Sequence, residues 1–223
     1  MANENYRNLE LESDIDKCES GSKIDLSFRQ LIDRDMDIVV QQAIIEKQCR
    51  VLLLNDNCIT AEGATTIAKA LWKNTTLEEL NLWNNQVSDL GVESLSRALM
   101  NNSFLRSLGL GQNRISYVGA QHLAEMLKSN STIVRLWLFH NEIDDQGVKA
   151  LTDVLANHNQ SLEWLDLRLN KSVTDSSFDS LSHMLESNRS LNKFWMEYCN
   201  LSPPIKAKLR LIGQTKDNFD IGA

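Results

Sequence analysis

The sequence predicts an α/β solenoid: a curved horseshoe with parallel strands on its concave face and helices on its convex face. Three observations carry that prediction. The pattern L-x-x-L-x-L-x-x-N-x-hydrophobic returns along the chain, with its key polar position at 29, 57, 85, 113, 141, 170 and 199, in steps of 28 or 29. Around each key position apolar residues alternate, as on one face of a strand. Further on they recur at spacings of three and four, as on one face of a helix. A single copy cannot bury such faces alone, so the copies must stack.

The elements follow in chain order. Residues 1–20 hold six acids (Glu4, Glu10, Glu12, Asp14, Asp16 and Glu19) against Arg7 and Lys17. They read as a solvated leader with little order. Residues 21–48 form an N-terminal capping repeat, marked by Ile24, Leu26, Arg29 and Leu31 and by a helical face of Met36, Val39, Val40, Ala43 and Ile44. Six repeats then fill 49–201. One of them reads Leu77, Leu80, Leu82, Asn85, Val87, with Gly91, Leu95, Ala98 and Leu99 on its helix. Asn74, Asn102, Asn130 and Asn188 are expected to close the helices in a left-handed conformation. Residues 202–223 form a C-terminal cap, in which Pro203-Pro204 stops the last copy. Its helix buries Ile205, Leu209 and Ile212 and ends at Gly213. All of this makes one structural domain.

A buried key asparagine offers two donors and an acceptor, enough to satisfy loop backbone between neighbouring copies. This arrangement resembles the leucine-rich repeat family, in its ribonuclease-inhibitor-like subtype of 28–29-residue repeats. The resemblance covers residues 22 to about 201. It allows Cys199 in place of asparagine, whereas Arg29 departs from the pattern, as suits an end copy with a free side. Members include ribonuclease inhibitor, the sensor ends of nucleotide-binding immune receptors and Ran GTPase-activating protein. The resemblance implies an interaction scaffold more strongly than any one activity.

Composition narrows the function classes. The net charge is −7, which favours neither nucleic acid nor an anionic membrane. No apolar run is long enough to span a bilayer, and no secretory leader is evident. Cysteines 18, 49, 58 and 199 lack metal-ligand spacing and read as free thiols in a reducing cytoplasm. Phosphate loops, nucleophile elbows and H-E-x-x-H motifs are missing, and Gly109-Leu-Gly111 lies on a strand. No enzyme, cofactor or metal is therefore expected. The enzymatic alternative, drawn from the resemblance to Ran GTPase-activating protein, places Arg114 in a loop beside a transferring phosphoryl group.

Strand alternation assigns the displayed residues. Positions six, four and two before each key residue face away from the core. In successive copies these are Val51, Leu53 and Asn55; Glu79, Asn81 and Trp83; Ser107, Gly109 and Gly111; Arg135, Trp137 and Phe139; Trp164, Asp166 and Arg168; and Lys193, Trp195 and Glu197. Four of the five tryptophans fall there, unneeded by a leucine core. Gly109 and Gly111 leave a bare floor that a partner side chain could enter, and His140 and Tyr198 stand on the rim. The expected partner-binding set is Trp83, Arg135, Trp137, Phe139, His140, Trp164, Asp166, Arg168, Trp195, Glu197 and Tyr198. Aromatic anchors with arginine and mixed charge are the composition of protein-binding hot spots. The expected function is a non-enzymatic, monomeric protein-interaction module, with self-association through the same face as a further alternative.

Overall fold

The computed structural model describes residues 6–216 and 219–222. Met1–Asn5, including Glu4 of the acidic leader, lie outside it, as do Asp217, Asn218 and Ala223 of the expected C-terminal cap. The described strands are β1 (Lys23–Asp25), β2 (Val51–Leu53), β3 (Glu79–Asn81), β4 (Ser107–Gly109), β5 (Arg135–Trp137), β6 (Trp164–Asp166), β7 (Lys193–Trp195) and β8 (Asp220–Gly222). They pair in chain order as one parallel sheet. The helices are α1 (Leu9–Asp16), α2 (Met36–Ile38), α3 (Ala61–Leu71), α4 (Ser88–Leu99), α5 (Tyr117–Ser129), α6 (Asp145–Asn157), α7 (Phe178–Ser187) and α8 (Pro203–Gln214). A π-helical turn, Val39–Glu46, continues α2.

Register keeps equivalent residues in line. Leu52, Leu80, Leu108, Leu136, Leu165 and Phe194 pair across neighbouring strands, and all are fully buried. Each such side chain contributes roughly 1.5–3 kcal/mol by leaving water. Beneath them lie the helical faces expected from spacing: Ile67 and Leu71, Leu95 and Leu99, Leu123 and Leu127, Leu151 and Leu155. Strands and helices thus form an α/β solenoid around one continuous core.

The flank of the sheet is tied by asparagine. Asn113 Nδ2 donates to Leu82 O of the preceding copy and to its own Gly111 O, at 2.9 Å each. Its Oδ1 accepts from Val87 N at 3.1 Å. Asn57, Asn85, Asn141 and Asn170 repeat this exchange. Cys199 keeps only a donor, its Sγ reaching Leu167 O at 3.3 Å. Just before each key residue, Phe28, Asp56, Asn84, Gln112, His140, Leu169 and Tyr198 all take positive φ, from 52° to 62°. A non-glycine residue there costs about 1 kcal/mol, and the clamped amide holds it in place.

A second asparagine ladder corrects the expected helix ends. Asn130 and Asn188 are extended, with φ of −87° and −74°, not left-handed. They close the helices with side chains instead. Asn130 Nδ2 donates to Leu99 O and Asn102 O of the preceding copy, while Oδ1 accepts from Thr132 N and Ile133 N. Asn102, Asn159 and Asn188 do the same. Helix starts are joined too: Thr60, Ser116 and Thr174 donate both backbone N–H and hydroxyl to Asp33, Asp89 and Asp145 of the copy before.

Both ends are more ordered than the sequence suggests. Within the leader, α1 buries Leu11 and Ile15, and Asn8 caps it by accepting from Leu11 N. Arg29, the exceptional key residue, pairs with Asp14 at 2.7 Å and Glu10 at 3.4 Å, so the acids serve as anchors for the first copy. The two apolar residues lie four apart, one turn of helix, in a segment whose acidity masks them. At the other end α8 runs through Gly213 to Gln214. A Cβ at Gly213 would lie 2.8 Å from Ile221 and 3.2 Å from Phe219, so this glycine lets the tail pack close. That tail supplies β8, an extra strand without a leucine pattern to announce it.

Candidate protein-binding surface

The displayed rows follow from register. The row Asn81–Gly109–Trp137–Asp166–Trp195 runs straight across five strands, and the row Glu79–Ser107–Arg135–Trp164–Lys193 runs beside it. Trp164 therefore stands diagonally between Trp137 and Trp195. The three rings meet edge to face, with centroids 5.6 Å and 4.8 Å apart. Such contacts add about 0.5–1.5 kcal/mol each beyond their burial.

Phe139 and Trp83 lie two copies apart, yet their rings meet at 5.2 Å. Gly111 between them makes this possible. A Cβ there would fall 2.5 Å from the Phe139 ring, and one at Gly109 would fall 2.7 Å from Asn81 Oδ1. The glycine floor expected to admit a partner is thus partly filled by the chain's own Phe139.

Charged residues are also engaged. Asp166 is fully buried, not displayed. Trp137 and Trp195 flank it in its row, and it takes Arg168 in a two-pronged pair, Nε–Oδ1 2.9 Å and Nη2–Oδ2 2.6 Å. That hydrogen-bonded pairing raises the Arg168 guanidinium pKa above its ordinary value. The Arg168 guanidinium lies 4.5 Å over the Trp195 ring, and Lys193 Nζ lies 4.5 Å over Trp164. Trp195 Nε1 donates to Asp220 of β8 at 3.1 Å, and Gly222 closes over Glu197. Two buried atoms here, Trp164 Nε1 and Glu197 Oε2, have no hydrogen-bond partner among the described residues.

A cavity of about 480 Å³ gathers Trp83, Trp137, Phe139, Trp164, Asp166, Arg168 and Trp195 from the expected set. Glu79, Asn81 and Gly109 complete its wall. Alternation displays these three, but nothing in one-dimensional spacing singles them out. Arg135 and Glu197 stand beside the cavity without lining it. His140 and Tyr198 lie on the left-handed flank, exposed and away from the rings. His140 instead lines a polar groove of about 650 Å³ with Arg114, Glu142 and Lys171. Lys171 Nζ donates to Tyr198 O at 2.9 Å. Among the described residues no cluster of histidine, cysteine and carboxylate groups suits a metal ion, and no helix is long and apolar enough to cross a membrane.

Comparison with known proteins adds three findings. A family model described as "Leucine Rich repeat" matches residues 50–68, 73–96, 101–124 and 129–151. No curated protein matches the chain. Among solved structures, the chain is similar to "Leiomodin-1 Actin-Binding Site 2 (ABS2)", with a TM-score of 0.59 and 21% identity over 69% of this chain and 85% of that one.

Proposed function

We propose that this chain, which belongs to the leucine-rich-repeat proteins, is a non-enzymatic interaction module that grips a protein partner on the aromatic face of its sheet. The observation that carries the reading is the convergence of Trp83, Trp137, Phe139, Trp164 and Trp195 on one cavity, outside a core that is complete without them. Rings of this size, with Arg168 held between them, supply the contact energy of hot spots. In a ribonuclease-inhibitor-like arc, the subtype suggested by the 28–29-residue step, this face is the concave one. Four cysteines without disulfide bonds suit a reducing cytoplasm.

Affinity capture from source cells with the parent chain and with Trp137→Ala/Trp164→Ala tests the reading. A partner retained by the parent and lost by the variant, at unchanged far-UV circular dichroism, is the expected result. Equal capture overturns it. Actin, named in the solved relative, is the first partner to try, by co-sedimentation with filaments. Light scattering across a concentration series separates the module from a self-pairing protein: the parent is expected to stay monomeric.

A further inference from the structure

The aromatic face contains one motif three times over, twice filled and once empty. In the filled instances an indole carries a cation of the chain itself: Arg168 on Trp195 and Lys193 on Trp164, each at 4.5 Å. Arg168 is further held by a carboxylate, Asp166. The third instance lies over Gly109. Trp83 and Trp137 both line the cavity there, and neither ring carries a cation among the described residues. Glu79 supplies the carboxylate, and its side chain makes no hydrogen bond or ion pair among the described residues. The other charges lining the cavity, Asp166 and Arg168, neutralise each other. Arg135, two strands from Glu79 in the same row, is exposed and does not line the cavity, so it leaves that carboxylate uncompensated.

From this we infer that the niche over Gly109 is a receptor for a cationic side chain, the guanidinium of an arginine in an extended partner segment. The inference rests on the binding role proposed above and names the chemistry that role would read. The negative faces of two indoles attract a flat cation. The carboxylate of Glu79 complements it as Asp166 complements Arg168, and arginine stacks on rings and pairs with carboxylates at once. Gly109 adds no side chain to the cavity, and the Asn81 amide oxygen, 2.7 Å from where its Cβ would lie, sets the floor of the niche, whereas the chain's own Phe139 leans over Gly111. The chain's net charge of −7 favours the approach of a basic segment.

The test is a titration of the intact chain, followed by tryptophan fluorescence and indole proton resonances. The probes are an acetylated, amidated glycine peptide with a central arginine and its neutral citrulline counterpart. Saturable binding of the arginine peptide is expected, with the Trp83 and Trp137 indole signals moving and no saturation by citrulline. Glu79→Gln is expected to weaken binding about five-fold, the change that ~1 kcal/mol of lost attraction implies. Glu142→Gln, on the distant flank, is expected to leave it unchanged. Equal binding of citrulline, parent-like binding by Glu79→Gln, or no saturable binding of arginine overturns the inference. If it falls while Trp137→Ala/Trp164→Ala still loses its partner, the binding role stands and the partner anchors by apolar contact alone. If that double variant loses nothing, the binding role falls as well.

Discussion

Asn57, Asn85, Asn113, Asn141 and Asn170 on the flank and Trp83, Trp137, Trp164 and Trp195 on the sheet occupy fixed phases of the same repeat, yet the two sets behave differently. On the flank the residue type recurs because each amide serves the backbone of the copy before it, and that backbone is the same everywhere. On the sheet the residue type changes from copy to copy, because no backbone group demands it. Identity that repeats marks a debt between neighbours. Identity that varies marks a surface left for another use. Asp166 shows where that rule stops, since it varies with its row and is nonetheless buried against Arg168.

The sharpest break of this comparison is Asn113→Ala. It leaves Val87 N without an acceptor in the interior and takes one donor each from Leu82 O, which keeps Asn85 Nδ2, and Gly111 O, which keeps Asn84 N, so urea denaturation should show a loss of about 3 kcal/mol. Trp137→Ala should cost less, about 2 kcal/mol, because its ring is only half-buried and loses one edge-to-face contact. Its effect on partner capture should be far larger than its effect on stability.

A third test uses pH. Burial pushes the Cys49 thiol up to about 12 and the Cys199 thiol up to about 11. The unfolded chain loses those protons nearer the ordinary thiol value, so above it the folded state binds more protons. Stability should therefore be full at neutral pH and fall between the ordinary thiol value and about 11–12. Denaturant midpoints from pH 7 to pH 11 would show the decline, roughly 1 kcal/mol per pH unit for each thiol. A flat profile would mean that the two buried thiols carry no such linkage. The smallest expected effect is that of Trp72→Ala. This indole is 53% exposed at the end of α3, outside the aromatic face. Its removal should change stability by no more than about 0.5 kcal/mol and leave capture intact. Loss of capture by this variant would move the interface off the sheet.

What the sequence by itself determined is whatever repeats. The step of 28 or 29 residues set the strand order, the two alternating faces and the buried leucine line, because stacked copies must present the same backbone to each other. It also placed the four indoles on the displayed rows, since alternation along a strand leaves no other side for them. The second ladder of Asn102, Asn130, Asn159 and Asn188 was visible as a recurring letter, but its work through side chains was not. Only the tertiary structure decided which displayed groups are already spent. Phe139 reaches across Gly111 to Trp83, Lys193 and Arg168 settle on indoles, Asp166 sinks beneath them, and β8 closes over Glu197. These contacts join copies diagonally, through side-chain length and rotamer, and such reach is not written in any spacing along the chain. The acidic α1 belongs with them: Leu11 and Ile15 are too few to form a pattern, and they become an element only where the open end of the solenoid offers a core to complete.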